Sequence, residues 1–91
     1  MEIIDAHAHA LPRGTMDGGR ADARLETLLA AMRAYGIARA CLMPINDTSW
    51  QPVDEMNDFA VQAVRQRPEL VGFIDLDLSQ AHYSGGIAAL E

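Results

Sequence analysis

His7 and His9 stand two residues apart in Glu2-Ile-Ile-Asp-Ala-His-Ala-His-Ala-Leu-Pro, and the chain has just one other histidine, His82. Side chains of a β-strand alternate between faces, so residues at this spacing point the same way. Two imidazoles so placed at the end of an apolar strand can grip one metal ion, because imidazole nitrogen is a favoured ligand for zinc and several other transition metals. Two ligands do not complete a site. A catalytic zinc centre takes about three protein ligands plus an open position for water, whose pKa falls to about 7. It also needs a group placed to move a proton.

Other chemistry-bearing residues lie close by in sequence or at corresponding ends of later elements. Asp5 can accept a hydrogen bond from a neighbouring group or orient a ligand from behind; a structural role on the outward face is the equal alternative. Arg13 and Arg20 have the forked donors that suit a substrate carboxylate, although solvated loop arginines are the plainer reading. Asn46 and Trp50 are candidates for the mouth of a substrate pocket, and a tryptophan packed over the rim is an equal alternative. His82 falls on the same edge as the pair; a surface histidine near a helix start is the simpler reading.

The elements that must position these residues alternate between strand and helix. Ile3 and Ile4 begin an apolar strand that runs into Asp5 and the histidines, and a Gly-, Pro- and Asp-rich loop follows from Ala10 to about Ala21. Asp22 is placed to cap a helix, with Glu26 near its positive end. Leu25, Leu28, Leu29 and Met32 mark the helix's buried face, and Gly36 stops it. Ile37 to Met43 reads as the second strand, ended by Pro44. After the Pro44–Pro52 loop, a second helix begins near Val53 or Asp54. Its stripe is Met56, Phe59, Ala60, Ala63 and Val64, and Pro68 closes it from beyond its end. Leu70 to Leu76 reads as the third strand, Ser79 to Gly86 as a loop, and Ile87 to Glu91 as the opening of a third helix.

Strand–helix–strand–helix–strand with short connections specifies α/β architecture, a β-α-β-α-β(-α) unit with a parallel sheet and right-handed crossovers. Binding groups in such sheets collect at the carboxyl ends of the strands. All three strand-end segments carry polar residues: the histidine pair, Asn46–Trp50, and Asp77 to Ser84.

With 91 residues the chain is one domain at most, or part of one, and 49% hydrophobic content suits a globular protein. Net charge is −6, there is no lysine, and the seven arginines are scattered. Such a surface repels phosphate backbones, so no nucleic-acid partner is expected. The single cysteine, Cys41, excludes an intrachain disulfide and fits a reducing cytoplasm; inside the second strand it reads as a buried, inert thiol. No signal peptide or membrane-length apolar run is present, so a cytoplasmic location without membrane partners is expected.

Ile4-Asp5-Ala6-His7-Ala8-His9 resembles the first-strand motif of the amidohydrolase superfamily, metal-dependent enzymes on a (β/α)8 TIM barrel. The nearest branch is the amidohydrolase-related family of lactone hydrolases and zinc-dependent decarboxylases of aromatic-derived acids. The Leu28–Met43 passage, Asn57-Asp58-Phe59 and Leu70-Val-Gly-Phe-Ile-Asp are similar to that branch too. The resemblance spans nearly the whole chain and the first third of a barrel. It implies that His7 and His9 bind a divalent metal, usually zinc, and that the substrate is a small carboxylated or lactone-type molecule. In the decarboxylating relatives the metal holds the substrate's oxygen atoms and stabilises developing charge. The family's other ligands, histidines of strands five and six and an aspartate of strand eight, have no counterpart in these residues. That aspartate also moves the proton, so the catalytic base is not among them.

Two other readings compete. A TatD-like nuclease or PHP-type phosphoesterase also opens with His-x-His, but Ile74-Asp-Leu-Asp is followed by no His-Pro and no third histidine comes shortly after His9. The third reading is an inactive βαβαβ fragment or assembly module. Bare strand edges and a half-covered sheet invite self-association, so a homo-oligomer is among the expected states.

Overall fold

The computed structural model describes residues 1–45 and 52–75. Asn46, Trp50, the Asp77–Ser84 segment with His82, and the helix expected at Ile87–Glu91 lie outside the described residues.

Five strands and two helices follow one another as β1 (Ile3–Ala8), β2 (Thr15–Met16), β3 (Ala21–Asp22), α1 (Leu25–Tyr35), β4 (Ile37–Leu42), α2 (Val53–Gln66) and β5 (Leu70–Gly72). The main sheet is parallel, in the order β1-β4-β5, so the α/β reading of the sequence holds. Both helices pack against the same core. Leu29 and Met32 of α1 and Ala60 and Ala63 of α2 meet Ala8, Ala10, Ala40, Leu42 and Leu70, with Leu25, Leu28, Phe59 and Val64 packed around them. The apolar stripes expected for both helices are therefore the ones that are buried. Ala40 and Leu42 are 0% exposed, which makes β4 the floor of the core.

Gly36 ends α1 as expected. It takes the left-handed conformation at φ 66°, and its N–H donates to the Met32 carbonyl. The start of α1 differs from expectation. The N-cap position is Arg24, and Asp22 belongs to β3. Asp22 still serves the helix end from two residues back: its carboxylate accepts from the Arg24 backbone N–H at 2.9 Å and from the Thr27 hydroxyl at 2.8 Å. An aspartate reaches the amide two residues on without being the cap itself.

The loop expected from Ala10 to Ala21 contains a small antiparallel ribbon, with Thr15 opposite Asp22 and Met16 opposite Ala21. Asp17, Gly18 and Gly19 all have positive φ, which tightens the turn that joins its strands. Leu11, Ala23 and Met56 form a second small core here, flanked by Met16, Ile45 and Val53. The ribbon therefore leans on the first turn of α2.

Register in the sheet is uneven. Asp5 pairs with Ala40 and Ala8 with Leu42, so β1 advances three residues while β4 advances two. That extra residue is a bulge between Asp5 and Ala8, a stretch that includes His7, and it offsets an opposite slip between Ile3 and Ile4, where β4 advances two residues to one in β1. The third strand is shorter than the Leu70–Leu76 expected, ending at Gly72. Phe73 N–H still donates to the Leu42 carbonyl, but the backbone groups of Asp75 bond to a side chain of α2 instead of to a strand. Gly72 lies against that helix: a Cβ there would come within 2.8 Å of Val64 Cγ2. Cys41 is half-buried instead of fully buried, because it alternates with Ala40 and Leu42 and so faces away from the helices. Among the described residues no helix is long and apolar enough to cross a membrane.

Candidate metal centre

Ala8 and Ala10 point into the helix-covered core. By alternation His7 and His9 point to the opposite face, at the carboxyl end of β1. Their Nε2 atoms lie 3.0 Å apart and the rings meet edge to face, with centroids 4.8 Å apart. The spacing read from the sequence thus brings the pair together.

Each ring has a different anchor. Nδ1 of His9 lies 2.8 Å from the carbonyl oxygen of Met43, just past the end of β4. A carbonyl can only accept, so Nδ1 carries the hydrogen, and in the neutral ring Nε2 then holds the lone pair. The 3.0 Å contact then has His7 Nε2–H donating to that lone pair. His7 itself is exposed, and its backbone N–H donates to Asp5 Oδ1 at 2.9 Å. Asp5 therefore accepts a hydrogen bond from a neighbour, one of the roles expected of it, and sets the backbone at the bulge.

The pair fits a shared cation. Two nitrogens held about 2.0–2.1 Å from one zinc, at angles of roughly 90–110°, lie about 2.9–3.4 Å apart. The observed 3.0 Å falls within that span. A backbone carbonyl behind one imidazole is also the usual way a ligating histidine is oriented. Among the described residues no group of three or more His, Cys, Asp and Glu side chains could hold a metal ion, so the pair offers two donor nitrogens and no third donor beside them.

Asp75 is a further carboxylate at this end of the sheet, and its place in an apolar run does not mark it as a site residue. It lies just beyond β5, at the same edge of the sheet as His9 and Met43. Asn57 of α2 holds it by the backbone: Nδ2–H donates to the Asp75 carbonyl at 2.8 Å, and Oδ1 accepts from the Asp75 N–H at 3.0 Å. Partial burial raises the Asp75 pKa, and the charge of His9 acts in the opposite direction. The signal available in the sequence was a polar residue on an apolar stripe. Asn57 precedes Ala60 by three residues and Val64 by seven, and it is 3% exposed.

The arginines occupy a different place. Arg13, Arg20, Arg24 and Asp22 line an open cleft of about 600 Å³ on the ribbon. Neither histidine lines this cleft. Arg13 pairs with Glu55 at 3.1 Å, and Arg24 with Asp22 at 2.9 Å. The Arg24 guanidinium and the amide and hydroxyl donors around Asp22 hold its carboxyl well below the ordinary range.

Comparison of the chain with protein-family models, with curated proteins and with solved structures gives no match.

Proposed function

We propose that His7 and His9 are two ligands of a divalent metal, zinc by the chemistry of the donors, in a hydrolase or decarboxylase of the amidohydrolase-related type. The observation that carries this reading is the facing pair of Nε2 atoms at 3.0 Å, one of them oriented by the Met43 carbonyl. Small carboxylated or lactone-type molecules are the substrate class. A bound metal would polarise a carbonyl or carboxylate oxygen, or lower the pKa of a water. The chain's own part is to hold imidazole lone pairs at the strand ends and to keep the His9 tautomer fixed.

The same reading takes the βαβαβ unit as the opening of a (β/α)8 barrel. Three features support it: parallel strands in chain order around β4, both helices in one core on one face, and apolar side chains on the other face. Val71 and Phe73 are 39% and 47% exposed there, where a closed barrel would turn them inward. Further ligands and the proton-moving group would come from elements beyond those described.

Titration of the purified protein with Zn²⁺ tests the pair. One equivalent should bind, and His7→Ala or His9→Ala should weaken it by more than about 100-fold, beyond the usual loss for an outer partner. Protein that takes up no zinc, together with no metal-dependent turnover of lactones or carboxylated aromatics, overturns the proposal.

A further inference from the structure

We infer that Asp75 is the carboxylate of the His7–His9 centre and that Asn57 is the residue that positions it. This rests on the metal-pair reading above and extends it from the first strand to the end of the third strand of the sheet.

A carboxamide as buried as Asn57 must have hydrogen-bond partners. Both of its ends go to one residue, and to that residue's backbone: the Asp75 carbonyl and the Asp75 N–H. This is the pairing a neighbouring strand would provide, delivered by a helix side chain. It takes up both backbone groups of Asp75 and ties the segment after β5 to α2. The described segment just beyond β5 adjoins β4, whose own end holds His9 through Met43. Strands in a sheet are spaced by about 4.8 Å, so the ends of β1, β4 and β5 form one short edge. The half-buried carboxylate of Asp75 is on it, within electrostatic reach of His9.

The three side chains do not stand close enough together to coordinate one ion directly. Asp75 would therefore act through a water or a substrate atom on a bound ion, and it would add the negative charge that two neutral imidazoles lack. The ligand class is a divalent cation with a preference for imidazole nitrogen. Asn57 touches neither ion nor substrate; it acts through Asp75.

The experiment is calorimetric titration of the whole 91-residue chain with Zn²⁺, run on the wild type, Asp75→Asn, Asn57→Ala, the double variant, and Asp58→Asn as a control for lost charge. Circular dichroism checks that each variant is folded. Asp75→Asn should weaken binding by about 10-fold, as removal of an outer partner does, and Asp58→Asn should leave it unchanged. Asn57→Ala should weaken it in the wild-type background and have no further effect in Asp75→Asn, a coupling that a merely structural asparagine would not show. Zinc affinity of Asp75→Asn within about twofold of wild type overturns the assignment of Asp75. Equal losses from Asn57→Ala in both backgrounds overturn the role of Asn57. In both cases His7→Ala would still weaken binding by more than about 100-fold, and the metal pair would stand. A wild-type chain that binds no zinc fails at the pair itself.

Discussion

The ring of His9 is bound through Nδ1 to the carbonyl oxygen of Met43 at 2.8 Å, and this bond joins the ends of two parallel strands. It leaves one nitrogen of His9 for other chemistry. Nitrogen-15 spectra taken above the usual histidine range should show His9 protonated at Nδ1 and bare at Nε2. Added Zn²⁺ should shift the Nε2 signals of both rings, and the proton on His7 should move from Nε2 to Nδ1. A His9 ring protonated at Nε2 in the zinc-free protein would contradict the anchor.

Asp22 should make the stability of α1 depend on acid. Its folded-state pKa lies below the ordinary 3.8, so its contribution is fully present above that value. It fades as pH falls below 3.8 toward the folded-state value, because there the unfolded chain takes up a proton first. Urea midpoints of wild type and Asp22→Asn should differ by a constant amount between about pH 7 and 5, and converge below about pH 4. A gap that persists unchanged at low pH would mean that hydrogen-bond geometry, and not charge, does the stabilising.

Gly72 and Gly36 are both required, for different reasons. Gly72→Ala puts a methyl group 2.8 Å from Val64 Cγ2 and should cost about 1–3 kcal/mol, the usual range for overpacking. Val64→Ala in the same chain should recover part of that loss. If it recovers nothing, the contact is not the cause.

A Cβ at Gly36 would meet nothing within 4 Å, so Gly36→Ala should cost about 1–2 kcal/mol for the left-handed backbone alone. No change in a neighbouring side chain should rescue it. Thermal unfolding of Gly36→Ala paired with Val64→Ala checks the contrast.

Val71 and Phe73 give the sheet face opposite the helices an apolar surface. Sedimentation velocity should show the chain associating as concentration rises, and Phe73→Asp should reduce the association. A chain that stays monomeric at high concentration would mean that some other part of the protein covers this face.

Much of this arrangement was legible in the residues. Of the stripes Leu25–Leu28–Leu29–Met32 and Met56–Phe59–Ala60–Ala63–Val64, Leu29, Met32, Met56, Ala60 and Ala63 are buried and the rest pack half-buried against the core, and Gly36 stops its helix as a left-handed glycine does. The histidine spacing brings the two rings together. What the pattern missed depends on distant partners. Leu70 to Leu76 reads as one apolar run, yet the strand ends at Gly72, and the backbone of Asp75 pairs with Asn57, many residues earlier, instead of with a strand. Asp22 looks like a cap because its type and place suit one; the ribbon that holds it two residues short depends on pairing with Thr15. Local chemistry is written locally, while contacts across the chain leave only hints, such as an asparagine on an apolar face.

The extra residue in β1 restores a register lost one step earlier: between Ile3 and Ile4, β4 advances two residues to one in β1, and the bulge after Asp5 cancels that slip. If β1 kept step with β4 after Asp5 and Ala40, His7 would stand beside Leu42, which is 0% exposed, and would face the helices. With the bulge, Ala8 takes that place and both imidazoles turn outward. A one-residue deletion at Ala6 would thus leave the histidine spacing intact in sequence and bury an imidazole in the hydrophobic core. The side that the imidazoles occupy rests on two opposite slips that offset each other, and a change that removed one alone would keep the letters of the motif and lose its chemistry.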